Sequence, residues 1–206
     1  MTAHLGALPG GTHVRAAAFT DYVAAVLTAL THHGFRNLIV MNGHGGNTES
    51  LKEAALRVHE ESGAYVAVLN WWTECYPICE EVLGVTGGHA GADETAAMIA
   101  ISPEQVFPDR WDPSLAFEHR NSLVAFPEPG SLIYYSGKRS DPVLDTRKAR
   151  DYWTKVVEHI GEVLEDLLMR WDREGYPAPR GARRGVPEPA PAGANGHDGV
   201  GRRRRK

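Results

Sequence analysis

The sequence predicts an α/β fold in three layers, α/β/α, with helices on both faces of a mostly parallel sheet. Two short apolar runs, NLIVMN (37–42) and AYVAVLNWW (64–72), have the composition of buried strands. A glycine-rich loop comes after each run along the chain, at 43–46 and at 87–91. Segments with helical spacing of apolar residues alternate with these runs, and this alternation is typical of an open parallel sheet.

One predicted helix precedes the first strand in the chain, and a second predicted helix follows it. Apolar residues within 19–30 recur at spacings of three and four, and Gly34 ends that helix. A second helix is predicted at roughly 49–61, with Gly63 ending it. The first glycine loop therefore joins a strand to a helix, which is where ligands collect in open α/β sheets.

Two further helices are predicted downstream. One follows the second glycine loop and carries Asp93 and Glu94 in its first turn. The other has apolar residues at helical spacing from Tyr152 to Trp171 and ends before Gly175. We expect the last helix to pack across one face of the sheet, and we expect both glycine loops to face the same crevice.

The chain of 206 residues, 42% of them hydrophobic, is long enough for one buried domain. We place that domain at residues 1–176. Residues 177–206 are rich in proline, glycine, alanine and arginine and are predicted to be a disordered tail. The tail is basic, but a solvated terminus explains this charge better than a binding site does, so a nucleic-acid partner is not expected.

Cellular context is predicted from what the sequence contains and lacks. No apolar run reaches the roughly 18 residues of a membrane span, and the first residues do not have the pattern of a signal peptide. Cys75 and Cys79 are too few for a disulfide framework and lack a second ligand pair for structural zinc. We expect a cytoplasmic protein with two buried thiols and no membrane partner.

The two glycine loops are the candidate sites of chemistry. GHGGNT does not fit the dinucleotide fingerprint GxGxxG, and no phosphate-binding GxxxxGK[ST] motif occurs. An oxyanion-hole role for HGG would require the GxSxG nucleophile motif, which is absent. His44 in the first loop is instead a candidate metal ligand, because neutral imidazole binds zinc, iron and manganese. A glycine-flanked histidine is also common in plain turns, and this alternative stays open.

The second loop, HAGADET, strengthens the interpretation as a metal site. His89 lies five residues before Glu94, whose carboxylate could bind a metal ion or act as a general acid or base. An acidic residue in the first turn of a helix is also expected from the helix dipole alone. The two loops together favour a site.

These motifs resemble those of the creatininase family, the creatinine amidohydrolase-like metal-dependent hydrolases. The resemblance rests on NGHGGN after a strand, GGHAGADET before a helix, the earlier HLGALPGGTHV and the later SGKRSDPVLDTRKA, and it runs from about residue 4 to about residue 170. It implies a three-layer α/β/α fold, a dinuclear site for zinc, manganese or iron, and hydrolysis of a C–N amide bond in a small-molecule substrate. It also implies assembly into homo-oligomers.

Site residues follow from the same resemblance. It implies that His44 is a metal ligand, that Glu94 is a metal ligand or a catalytic carboxylate, and that His89 is catalytic and lies on the substrate side. Gly45, Gly46 and Trp72 are further candidates for substrate binding. Trp72 is a candidate because it ends the second predicted strand, although a place in the core or at its rim would also explain it. Pro9 to Thr12 matches the family's PGT loop, and His4 matches a preceding histidine more loosely.

The sequence also departs from the family pattern. The ExHGxHLPxxTD-type segment that supplies the family's other ligands does not occur in this chain, so we expect an N-terminally shortened member with an incomplete ligand set. Gly45 and Gly46 replace the Tyr and Glu of NGHYEN in creatininase itself, and Gly84 and Val85 stand where it has a Trp-Asp pair. Creatinine is therefore not the expected substrate.

Three functional hypotheses remain. The first is a metal-dependent amidohydrolase, possibly inactive if the chain is shortened, and the second is a non-catalytic member that serves as a binding or assembly subunit. The third is a flavodoxin-like nucleotide or phosphate binder that uses GHGGN as an anion nest at a helix start. The absence of lysine and arginine from that loop disfavours the third.

Overall fold

The computed structural model describes residues 12–120, 122, 132–134 and 140–174. The helices are α1 (Ala16–His32), α2 (Thr48–Ser62), α3 (Trp71–Glu74), α4 (Tyr76–Leu83), α5 (Ala92–Ile101) and α6 (Thr146–Glu174). The strands are β1 (Asn37–Asn42), β2 (Tyr65–Asn70), β3 (Gly88–His89), β4 (Ala116–Glu118) and β5 (Leu132–Tyr134). The expectations for His4, for Pro9 and for the tail at 177–206 fall outside the described residues.

The predicted α/β class is confirmed, and its centre is the parallel pair β1 and β2. The two strands pair without offset, from Asn37 opposite Tyr65 to Asn42 opposite Asn70. Both strands consequently end at the same edge of the sheet. Loops that leave this edge start close together, which is the arrangement that brings residues distant in sequence into one site.

Two hydrophobic clusters cover β1 and β2. On one face Leu38, Val40 and Val66 pack with residues of α1 and α2, which include Leu27 and Val58. Leu69 packs with a second cluster, built from α4, α5 and α6, that contains the fully buried residues Cys75, Cys79, Ala92, Ala96, Ala149 and Tyr152. Side chains alternate between the faces of a strand, so the two clusters form the outer layers of an α/β/α sandwich around this pair.

Glycine ends two of the helices that flank the sheet. Gly63 follows α2 with φ +77°, as the sequence predicts, and Gly84 follows α4 with φ +78°. Glycine adopts this left-handed conformation without the steric cost that a Cβ atom imposes, and it lets the next backbone N–H bond back to the helix. Gly63 N–H donates to His59 O at 2.8 Å, and the chain turns directly into β2.

The structure corrects the expected path between the two glycine loops. Trp71 and Trp72, expected at the end of the second strand, begin α3, where Trp71 packs edge-on against Trp153 of α6. The second glycine loop therefore follows α4 and not a strand, and it contains β3. In place of one mostly parallel sheet, β3, β5 and β4 form a second, mixed sheet in which β5 lies between antiparallel β3 and parallel β4.

The long helix α6 also differs from its expected position. It packs chiefly against α5 and α4, and it reaches the sheet at β2, where Trp171 lies beside Tyr65 with ring centroids 5.5 Å apart. Among the described residues, no helix combines the length and the apolar content required to cross a membrane.

Candidate active site

The first glycine loop is held by the side chain of Asn42, the last residue of β1. Asn42 is 2% exposed, and its Oδ1 accepts from the backbone N–H of His44 at 3.1 Å and from Asn47 Nδ2 at 3.4 Å. Asn42 therefore fixes the backbone of the loop at His44, and Asn47 bonds to the same Asn42 oxygen. Gly45 to Asn47 then form a single 3-10 turn that leads into α2.

The second glycine loop is held by the first turn of α5. Asp93 Oδ1 accepts from the N–H of Gly88 at 3.0 Å, and Glu94 Oε2 accepts from the N–H of Ala90 at 2.6 Å. Ala90 has φ +52°, a conformation that costs an L residue energy and needs support from its surroundings. His89 lies between the two anchored positions.

The two loops meet at their histidines. The ring centroids of His44 and His89 lie 5.6 Å apart, with an angle of 69° between the ring planes. Both side chains are half-buried. The expectation that the loops face one crevice is therefore confirmed for these two residues, 45 positions apart in the chain.

Trp72 lies against the first loop. A Cβ atom added at Gly45 would stand 3.7 Å from Cζ2 of the Trp72 indole, so the aromatic ring covers the backbone of the loop next to His44. Trp72 reaches this place because α3 turns the chain immediately after β2. Gly46 continues the 3-10 turn behind Gly45. The structure thus brings Gly45, Trp72 and His44 into one neighbourhood.

Burial shifts both carboxyl groups of the α5 turn toward the protonated form. It raises the pKa of Asp93, which is 1% exposed, to about 6, although the bond from Gly88 N–H opposes the shift. Burial also raises the pKa of Glu94, and the bond from Ala90 N–H opposes it. Carboxyl groups with a raised pKa are frequent at sites that transfer protons, and these two belong to the helix turn that follows His89.

The donor groups among the described residues bear on the predicted metal site. His44 and Glu94 have the donor chemistry for a divalent ion, but no three of the described His, Cys, Asp and Glu residues are placed to hold one together. A catalytic zinc ion normally takes three protein ligands. The metal-ligand roles of His44 and Glu94 therefore stay predictions.

Two residues near the second loop were not predicted as functional. The helix dipole was sufficient to explain an acid at position 93, and only the structure shows that the Asp93 side chain bonds to the backbone of the loop at Gly88. Ser140 is fully buried, and its Oγ accepts from Ala92 N–H at 3.1 Å. A Cβ atom at Gly91 would stand 2.8 Å from that oxygen, so Ser140 packs directly under the loop. Its place in the SGKRSDP motif was the available sequence signal.

Comparison with known sequences identifies relatives. A family model described as creatininase, creatinine amidohydrolase, matches residues 1–164. The chain is 34% identical over 117 residues to creatinine amidohydrolase of Pseudomonas putida, covering 50% of this chain and 44% of that protein. It is 37% identical over 75 residues to the mycofactocin precursor peptide peptidase of Mycobacterium ulcerans (strain Agy99), covering 35% of this chain and 25% of that protein. The matches therefore span less than half the length of these relatives.

Solved structures show the same fold. The crystal structure of creatinine amidohydrolase (creatininase) superposes with a TM-score of 0.64 at 21% identity, over 83% of this chain and 68% of that one. A mutant creatininase of Zn-Zn type gives 0.60 at 22% identity, over 81% and 70%. A manganese creatininase gives 0.56 at 23% identity, over 78% and 67%. These likenesses concern the fold alone.

Proposed function

The chain belongs to the creatininase family, and on that premise we propose that it is a metal-dependent amidohydrolase that cleaves a C–N amide bond in a small-molecule substrate. The observation that carries the proposal is the 5.6 Å approach of the His44 and His89 rings, beside the α5 turn that carries Glu94. Two imidazoles and a partly desolvated carboxyl group supply both metal-binding and proton-transfer chemistry in one place.

His44 and Glu94 are the residues proposed to hold the metal ion. A bound zinc, manganese or iron ion would polarise the amide carbonyl and lower the pKa of a water molecule. The remaining ligands would come from outside the described residues, since those residues hold no larger donor group. Asn42 supports this role by fixing the backbone of His44, and the Ala90 N–H holds one oxygen of Glu94 in place.

His89 is proposed as the group that exchanges a proton with the substrate. Histidine is the side chain whose ordinary pKa lies nearest to neutrality, and a positioned acid or base contributes roughly 10²- to 10⁴-fold to rate. In amide hydrolysis the leaving nitrogen must gain a proton as the C–N bond breaks. His89 can deliver it. Glu94 is the alternative proton donor only if it serves as the catalytic carboxylate in place of a metal ligand, since burial raises its pKa.

The substrate is proposed to lie against Trp72, Gly45 and Gly46. The two glycines leave the loop without side chains, and the Trp72 indole forms a flat apolar wall beside Gly45. The Pseudomonas relative is named for creatinine and the mycobacterial one for a precursor peptide. Because Gly45 and Gly46 replace the Tyr and Glu of NGHYEN, we favour an amide other than creatinine.

A non-catalytic role as a binding or assembly subunit is the second candidate. It is favoured by the incomplete donor set of the described residues. Assembly into homo-oligomers and a cytoplasmic location also belong to the proposal, the latter supported by the free thiols of Cys75 and Cys79. The phosphate-binding alternative loses support, because the N–H of His44 already donates to Asn42 and does not point freely into an anion nest.

Metal content and hydrolysis measured on the same samples test the proposal. Protein purified with added zinc, manganese or ferrous ion is dialysed, analysed for bound metal, and assayed against creatinine, other cyclic amides and short peptides. We expect hydrolysis of at least one amide and loss of about 100-fold or more in H44A and H89A. H33A, which changes an exposed histidine that follows α1 and precedes β1, serves as control.

The outcomes separate the candidates. Hydrolysis that H44A and H89A retain would contradict the proposed site. Metal that binds and is lost in H44A, without hydrolysis of any amide in the panel, would favour the non-catalytic candidate. Protein that holds no metal and cleaves nothing would contradict the metal-dependent hydrolase.

A further inference from the structure

Both neighbours of His89 are held by consecutive acidic side chains. Asp93 accepts from the backbone N–H of Gly88, and Glu94 accepts from that of Ala90. The two bonds bracket His89 on either side. Because backbone positions 88 and 90 are fixed by the α5 turn, the direction in which the intervening residue leaves the chain is fixed as well.

Asp93 is buried much more deeply than an acid that caps a helix requires. It is 1% exposed, and a Cβ atom at Gly87 would overlap its carboxyl group and stand 2.8 Å from a ring carbon of Tyr76. On the other side of the loop, a Cβ atom at Gly88 would stand 2.5 Å from Ile133 O. Because Gly87 has no side chain, the Asp93 carboxyl group fits against the loop, and because Gly88 has none, β5 can pack against its other side.

The cost of this arrangement indicates a specific role. Removing a carboxyl group from water is expensive unless hydrogen bonds compensate, and Asp93, which is 1% exposed, accepts from the Gly88 N–H. A helix can be capped at lower cost by an exposed acid. Asp145 does so for α6, where its Oδ1 accepts from the N–H groups of Arg147 and Lys148 in full contact with solvent.

We propose that Asp93 is a positioning residue that fixes the backbone of the second glycine loop at Gly88 and thereby holds the His89 ring against His44. The inference rests on the proposed function in one respect, the use of His89 in the site. The geometry itself is independent of any substrate. Asp93 acts through the backbone of the loop and touches neither imidazole in the interactions described.

The test measures the loop directly by NMR in the full-length chain. In the wild type we expect slow hydrogen exchange at the Gly88 amide and a nuclear Overhauser contact between the His44 and His89 rings. D93A should lose that contact and accelerate Gly88 exchange by about tenfold, the effect of one ordinary hydrogen bond. D93N keeps an acceptor oxygen and should preserve both. D145A should leave both unchanged, because the hydrogen bonds of the exposed Asp145 side chain lie within the first turn of α6.

A second variant displaces the Asp93 carboxyl group without deleting it. G87A places a methyl group where that carboxyl group lies, so it should reproduce the loss seen in D93A. G161A is the matched control, since a Cβ atom there meets no atom within 4 Å. If D93A does not fold, as judged by amide chemical-shift dispersion, G87A together with D93N decides the question.

Some results would overturn the proposal. One is a folded D93A or G87A that keeps the contact between the imidazoles and slow Gly88 exchange. Another is a folded D93N that loses both, because an acceptor oxygen would then be insufficient. Failure of the proposed function has a different signature, in which no amide is hydrolysed while the histidine contact still depends on Asp93. The two claims therefore succeed or fail separately.

Discussion

Asn42 and Asn70 occupy paired positions at the ends of β1 and β2, and Asn42 Nδ2 donates to Asn70 Oδ1 at 2.7 Å. Thr48 at the start of α2 joins them, since its Oγ1 donates to the same Asn70 oxygen at 3.3 Å. The other end of the Asn42 amide accepts from His44 N–H. A single buried amide thus links the ends of both strands, the next helix and the histidine loop.

Replacing Asn42 should cost more than replacing an exposed asparagine of the same strand. N42A leaves the half-buried Asn70 oxygen and the His44 N–H with fewer partners, and we expect a loss of about 1–3 kcal/mol in the free energy of unfolding. N42D removes the donor and brings carboxylate oxygens toward Asn70 Oδ1, so it should cost at least as much. Urea denaturation measures both.

The control for Asn42 is Asn37 at the other end of β1. It is exposed, so N37A should change the free energy of unfolding by no more than about 0.5 kcal/mol. A double-mutant cycle with N70A should show coupling to Asn42 of at least roughly 0.5 kcal/mol. Equal effects of N42A and N37A would show that the amide network does not stabilise the end of the sheet.

The features of the site that the sequence predicts are those set by local chemistry. The apolar run 37–42 can only be a short buried strand, and the glycines after it mark a loop at the end of the sheet. The ends of parallel strands lie at one edge of the sheet, and this places the first glycine loop and the start of α3 there. The meeting of His44 and His89 was expected from two loops that both leave strands, but it is reached through α3, α4 and β3. The start of α5 at Ala92 is likewise indicated by the acidic residues of its first turn, which are favourable at the N-terminus of a helix.

The features that were missed depend on contacts distant in sequence. Trp71 and Trp72 have strand propensity, but α3 forms there, with Trp71 packed against Trp153 of α6 at a centroid distance of 6.2 Å. Strands of two or three residues, such as β3 and β5, carry too few positions for a periodic pattern. The role inferred for Asp93 depends on its burial and on Gly88, and neither is visible in the order of residues.

The two thiols should be inert in the native protein. Burial, reinforced by nearby acids, raises the pKa of Cys75 to about 11 and that of Cys79 to about 12. A higher pKa means that very little thiolate exists at pH 8, and only the thiolate reacts with disulfide reagents. We expect DTNB to label neither thiol in the folded protein within minutes and both at once in urea. Rapid labelling of the native protein would contradict the burial of this cluster.

The cap of α6 should make stability depend on pH in the acidic range. Hydrogen bonds from Lys148 and Arg147 N–H lower the pKa of Asp145 below its usual value, because they favour the charged carboxylate. The stabilisation is therefore fully present above the pKa of the unfolded state and is lost as pH falls through the lower folded value. D145A should lower the melting temperature at pH 7, and the difference from wild type should shrink near pH 3.

An exposed acid of similar geometry provides the comparison for Asp145. Asp112 accepts from Ser114 N–H and Oγ–H in a short turn outside the helix, and its pKa is also lowered. D112A should have a smaller effect on the melting temperature, because no 29-residue helix depends on that turn. A loss in D145A that stays constant from pH 7 to pH 3 would show that the charge of the cap is irrelevant.

Gly161 lies inside α6, where an added methyl group has free space. A Cβ atom there meets no heavy atom within 4 Å, and the backbone is not in the left-handed region. Glycine in a helix interior is destabilising by roughly 0.5–1 kcal/mol relative to alanine, because it loses more backbone entropy on folding. G161A should therefore raise the free energy of unfolding by about that amount, measured by urea denaturation.

G84A is the contrasting substitution, because an added Cβ atom at Gly84 also meets no atom but the backbone φ there is +78°. A left-handed conformation costs an L residue about 1–2 kcal/mol, so G84A should lower the free energy of unfolding. If both alanines shift stability in the same direction, backbone conformation does not control these two positions.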